Sequence, residues 1–497
     1  MSIAFPSLAA RTAGLASLVL LGVPALGTAQ TYASRIVSDE PSFDPAAVTF
    51  TKDIAPILQE NCQRCHRDGG VAPMSLVTYQ EARRWAARMK DRTGRRDRMG
   101  AMPPYYVERG IGIQHYKDDE RLTDEEVAKI AAWVDHGTPE GDPADMPPPK
   151  VWPEVGVWTL GEPDLVVRSQ TFSKEAGSPD WWGDMASIPI PSTEDRYVRA
   201  VAIREINDVD ALGGGVGGRF IVHHVIWATR GPDGQVDGGW PVHELGRNPD
   251  IFDPKAGRLL PAGSEIVSES VHLNAAAEDA TAYLEFGFYF HPPDYQPAYR
   301  RASSVGFGLG DAMNIDIQPN QDGQTLHAFQ VLPEHMKIAS FEPHLHAPGY
   351  RMCLEAIWGN LIETLTCTGY DHNWVKQYTY DDDYAPLLPK GTILHIVAWM
   401  DNTENNPNIP DPRNWQGSGN RSVANMFIDL GKRVLLTDEQ FVEEMARRRQ
   451  ALGVGPNDHI VGCPLCMANI PPFDSDDVAD TGSSTSAPGA AQASARD

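Results

Sequence analysis

The sequence predicts a multidomain chain: a small all-α domain followed by two antiparallel β-sandwich domains of jelly-roll type. Three observations lead there. Apolar residues recur at helical spacing up to about residue 140, and a Pro-rich stretch follows. Beyond it, short period-two segments rich in β-branched and aromatic residues, bounded by Gly, Pro, Asn and Asp, continue for roughly 280 residues. The length of 497 residues suits about three domains at roughly 150 residues each. With 67 Asp and Glu against 42 Lys and Arg, the net charge is −25. That surplus opposes a phosphate backbone, so no nucleic-acid partner is expected.

Residues 1–29 have the layout of an export signal: Arg11, an apolar run from Leu15 to Val23, then Gly27-Thr28-Ala29. Pro24 breaks the run, which is too short for an anchor. A periplasmic or secreted chain with no integral membrane segment in its mature form is expected. Phe50 to Asn61 reads as an amphipathic helix with Ile54, Ile57 and Leu58 on one face. Thr123 and Glu126 form a capping box ahead of Val127, Ile130, Ala131 and Val134, and the helix should stop at Gly137. These elements define a domain over residues 45–140, and residues 141–154 form a stiff linker.

The strand-like segments include Tyr197 to Ile203, Phe220 to Thr229, Tyr283 to Phe290, Lys337 to Phe341 and Thr392 to Met400. They divide into β domains at 155–322 and 323–435. A second capping box, Thr437 with Gln440, opens a late helix in the 436–472 segment. The tail, 473–497, is Asp, Ser, Ala and Gly and is expected to be disordered. Gly213 to Gly218 formally match a dinucleotide fingerprint, but a strand pattern follows where a helix is required, so they read as a loop.

The six cysteines form three pairs. Cys62-Gln63-Arg64-Cys65-His66 is the attachment signature of haem c. Two thioethers on one helical turn hold the porphyrin edge while the adjacent His66 serves as proximal ligand. Met102, in Ala101-Met102-Pro103-Pro104, is the favoured distal ligand, with Met74, Met99 and His115 as competitors. Residues 45–140 resemble a small class I cytochrome c domain. Cys353 and Cys367 flank the turn signal Gly359-Asn360 symmetrically, which predicts a cross-strand disulfide. Cys463 and Cys466 repeat the short spacing but are followed by Met467, so a local disulfide is expected rather than a second haem.

Three places in the β region offer metal ligands. His223 and His224 are adjacent, and neighbours on a regular strand face opposite ways, so they share one ion only if the strand is bulged or ends there. His344 and His346 are two apart and share a face without distortion. Met426 would add the thioether favoured by Cu(I). The His pair, the later His-x-His and the still later Met, in that order, resemble the copper type II, ascorbate-dependent monooxygenases, the family of peptidylglycine α-hydroxylating and dopamine β-monooxygenases.

That resemblance, over roughly residues 190–432, implies two copper ions. One would be held by His223, His224 and a third, strand-borne His, for which His272 fits and His291 is the alternative. The other, the oxygen-binding site, would be held by His344, His346 and Met426. It implies hydroxylation of a C–H bond of a small organic substrate with O2. Ascorbate or a redox protein would supply electrons, here through the fused haem. Glu342, Asp371 and His372 are candidates for supporting or substrate contacts. A non-catalytic electron-transfer or copper-binding protein, and a carbohydrate- or partner-binding module, are the alternative readings.

Overall fold

The computed structural model describes residues 42–152, 157–209, 220–244, 249–276, 278–302, 315–419, 424–455 and 458–466. The expected export signal, the Gly213 to Gly218 loop and the 473–497 tail lie outside them. Among the described residues the protein is mostly antiparallel β-sheet with four α-helices.

A wide π-type turn, Phe50–Ile54, leads into helix α1, Ala55–Asn61. Phe50, Ile54, Ile57 and Leu58 are buried against Leu76, Ala82, Ala86 and Met89 and against Ile130 and Trp133. Helix α2, Tyr79–Gly94, was not anticipated. Its exposed arginines blur the apolar stripe, yet Thr78 and Glu81 form a complete capping box. Helix α3, Asp124–Asp135, has the expected box of Thr123 and Glu126 and is followed by Gly137 at φ +84°. The linker is pinned at its start, because Phe50 and Thr51 donate their backbone N–H groups to Pro139 O and Glu140 O.

Two sheets enclose the next core. One has the strand order Leu165–Arg168, Ala280–Phe290, Arg196–Asn207, Asp250–Ile251; the other runs Trp181–Pro189, Glu265–Leu273, Val222–Arg230, Val236–Asp237. Val198, Leu284, Phe286 and Phe288 of the first meet Val225, Trp227, Ile266 and Val271 of the second. Alternation along each strand produces this: every second residue turns inward.

The remaining strands form a second set. Gln321–Val331, Ile393–Asn402, Gly349–Trp358 and Leu361–Gly369 make one sheet, and Arg300–Ala302, Arg433–Leu436, His335–Ile338 and Leu387–Leu388 another. Two features refine the expected boundaries. Arg300–Ala302 pairs with Arg433–Leu436, so the second set draws in chain from before residue 323. Tyr105, Val107, Ile113 and Tyr116, from the stretch between α2 and α3, are buried in the same core as Leu354, Ile396 and Phe427. Residues 45–140 therefore do not stand apart, since those side chains need the β-sheet to leave water.

Helix α4, Asp438–Leu452, carries the expected capping box of Thr437 and Gln440 and ends at Gly453 in the left-handed conformation. Its Phe441 and Met445 pack with Val434, Leu436, Cys463 and Cys466. Cys353 and Cys367 stand opposite each other and are bridged, as are Cys463 and Cys466. No helix among the described residues is long and apolar enough to cross a membrane.

Candidate metal centre

The adjacent His pair meets the condition its sequence imposed. On Val222–Arg230, His224 faces His272 of Glu265–Leu273, but the next rung joins Leu273 to Val222. His223 is thus the extra residue of a β-bulge, which turns it out of strict alternation. His223, His224 and His272 consequently bring one ring nitrogen each to within 4.8 Å of one another. His291, the alternative third ligand, is elsewhere, stacked on Tyr295 with ring centroids 3.6 Å apart.

His272 is held from two sides. Trp182 stacks on it at 4.1 Å, and its Nε2 lies 3.0 Å from Asp180 Oδ2. The acceptor fixes the proton on Nε2 and leaves the Nδ1 lone pair free. The Nδ1 atoms of His272 and His223 are buried without a hydrogen-bond partner in the described structure, a cost that a bound cation would relieve. Burial, then the neighbouring His272, brings the His223 imidazole down to about 4. Burial likewise lowers His272, and burial with the surrounding imidazoles holds His224 well below the ordinary range. Neutral imidazoles are the form that binds a metal.

His344 lies on the strand Pro343–Leu345, and His346 follows it. Their ring centroids are 5.5 Å apart. His344 Nδ1 is 2.8 Å from Glu244 Oε1, and His346 Nδ1 is 3.0 Å from Ala424 O. The strand pairs with Phe427–Asp429, joining Leu345 to Phe427. One step further along that register, Met426 falls opposite His346. Glu244 comes from the short strand His243–Glu244, whose backbone pairs with that of His224, so the residue that contacts His344 sits beside the first His set.

The sets lie close together. His372 stands between them, with its ring centroid 5.5 Å from that of His223 and 5.6 Å from that of His346. Asp180 and Glu244 were invisible to sequence reasoning, because each reaches its histidine across a distant stretch of chain. Glu342 is fully buried and accepts from Gln377 Nε2 at 2.8 Å, a structural role.

In the N-terminal region, Cys62 and Cys65 lie on one turn, where the Cys65 and His66 N–H groups both donate to Cys62 O, and they are not bridged. Burial pushes the Cys62 thiol up to about 12, so it is no activated thiolate. His66 Nδ1 is 3.2 Å from Met74 O, which leaves Nε2 available to an axial metal. This donor set fits haem c. Among the distal candidates, Met99 Sδ accepts from Asn408 at 3.3 Å and His115 stacks on Tyr384 at 3.6 Å, whereas Met102 is 39% exposed.

No family model matches the chain, and no curated protein matches it.

Proposed function

We propose that this chain is an exported copper-dependent monooxygenase of the copper type II, ascorbate-dependent kind. In this reading a cytochrome c-like domain carrying haem c on Cys62, Cys65 and His66, with Met102 as distal ligand, precedes two jelly-roll domains. The observation that carries the reading is the bulge at His223, which turns a sequence-adjacent His pair onto His272 beside a second, softer donor set of His344, His346 and Met426. Copper, when bound, would supply one-electron redox chemistry toward dioxygen. The overall balance is one C–H bond and one O2 converted to C–OH and water, with two electrons and two protons consumed.

The chain's own residues have definable tasks. Asp180 fixes the His272 tautomer, Trp182 clamps its ring, and Glu244 orients His344. Ascorbate or a redox protein would be the electron source, with the haem as relay. The test is oxygen-dependent hydroxylation by copper-loaded, haem-containing protein supplied with a reductant. Copper and haem bound with reversible reduction but no oxygen-dependent product would make the chain an electron-transfer or copper-binding protein instead.

A further inference from the structure

We propose that segment 370–377 is the electron route from the haem region to the histidine sets, and that Asp371 completes it at the haem end. The inference rests on the haem and copper reading above and deepens it by naming the path between the two. Electrons tunnel more readily along covalent and hydrogen bonds than across van der Waals gaps, so the most continuous run of such bonds marks the route. Asp371 supplies the decisive contact. It is buried, and its Oδ2 accepts from Gly100 N–H at 3.1 Å and from Tyr106 O–H at 3.4 Å. Gly100 stands two residues before Met102, so a single hydrogen bond joins the loop that bears the proposed distal ligand to Asp371. The next residue is His372, whose ring centroid is 5.5 Å from that of His223 and 5.6 Å from that of His346.

The rest of the segment is fastened on both sides. Toward the haem motif, Glu120 accepts from Arg64 at 3.5 Å and from Lys376 Nζ at 3.1 Å, and Arg64 lies between Cys62 and Cys65. Toward the His-x-His strand, Tyr370 O–H donates to Leu345 O at 2.6 Å, and Gln377 Nε2 donates to Glu342 Oε2 at 2.8 Å. The distal loop is tied to the same turn a second time, because Asn408 donates to Met99 Sδ at 3.3 Å and accepts from Asn373 at 3.0 Å. Gly369 lets the two stretches meet, since a Cβ there would stand 1.8 Å from Asp97 O. Burial, then Asp371, holds the Tyr106 phenol well above its ordinary range, so it keeps its proton and donates it to the hydrogen bond. Tyr106 is therefore a positioning residue that braces Asp371, and the path itself runs through Gly100. The balance is one electron per event: ferrous haem becomes ferric as one Cu(II) becomes Cu(I), and no bond is made or broken.

The test uses the full chain, loaded with haem and copper and fully oxidised. Pulse radiolysis under anaerobic conditions delivers less than one electron per chain, and the ferrous haem band is followed. In the wild type that band should decay in a first-order phase whose rate does not depend on protein concentration, and the copper-free chain should lack the phase. Asp371→Ala, which removes the acceptor, should slow it several-fold, whereas Asp371→Asn, which keeps an acceptor for Gly100 N–H, should restore it. Haem potential and copper content, measured on each variant, separate a lost route from a changed driving force. A copper-loaded wild type whose ferrous haem persists, or decays only at a rate that rises with protein concentration, overturns the proposal while leaving the metal sites standing. That result needs no variant to fold. Wild-type transfer in an Asp371→Ala chain with unchanged potential and copper content overturns it as well. A wild type that binds no haem or no copper overturns the reading above and this proposal with it.

Discussion

Asp180 supports the proposed first metal site without belonging to it. Its Oδ2 lies 3.0 Å from His272 Nε2, and the His272 side chain is only 2% exposed while that of Asp180 is 51% exposed. The carboxylate charge is therefore largely screened by water, and its leverage on the site comes through the hydrogen bond. Replacing Asp180 with Ala removes the acceptor that keeps the His272 proton on Nε2, so the ring also samples the tautomer whose Nδ1 cannot bind metal. Loss of such a supporting partner costs about 10–100-fold in metal affinity, or roughly 1.4–2.8 kcal/mol. The isosteric Asp180→Asn keeps an acceptor and should lose less. Competitive copper titration measures both: one of two ions weakened, the other and the haem absorbance unchanged. Wild-type affinity for both ions in Asp180→Ala would refute the reasoning.

Three further outcomes are expected. Met426→Ile should abolish hydroxylation while leaving haem absorbance intact, and full turnover in that variant would remove Met426 from the oxygen site. Burial raises the Glu444 carboxyl, but hydrogen bonds from Lys255, Tyr299 and Arg447 overcome it and hold the group at about 2. Because that value is depressed, the stability it confers is present above about 4.5 and is lost as pH falls through about 2. Glu444→Gln should thus cost roughly 1–3 kcal/mol at neutral pH, discounted for the half-exposed Lys255, and should flatten the acid limb of the denaturation midpoint. Replacing both Cys353 and Cys367, 14 residues apart, with Ala should cost about 3 kcal/mol in urea unfolding while both sheets persist.

What was legible in the sequence was local. The haem-type motif, the capping boxes at Thr123 and Thr437, the strand segments and the His-x-His spacing each depend on neighbours within a few residues. The symmetric placement of Cys353 and Cys367 held because one register shift, between Leu354 and Glu355, brings them opposite each other. What escaped depends on distant chain. The bulge that lets His223 and His224 converge is set by the partner strand through His272 and Leu273, so the sequence could state the condition but not its fulfilment. Helix α2 was missed because Arg83, Arg84, Arg88 and Arg92 mask its apolar face, although Thr78 and Glu81 announced its start. Val107 and Ile113 looked like part of a separate helical domain. They are buried in a β core because Val107 bridges to Thr368 and Ile113 N–H donates to Leu365 O.

The central claim is a copper centre and a haem on one chain, and it is tested most directly by counting both in the purified protein. Elemental analysis with a pyridine haemochrome assay should return two coppers and one haem per chain. A preparation loaded with haem but devoid of copper after incubation with excess Cu(I) would contradict the account.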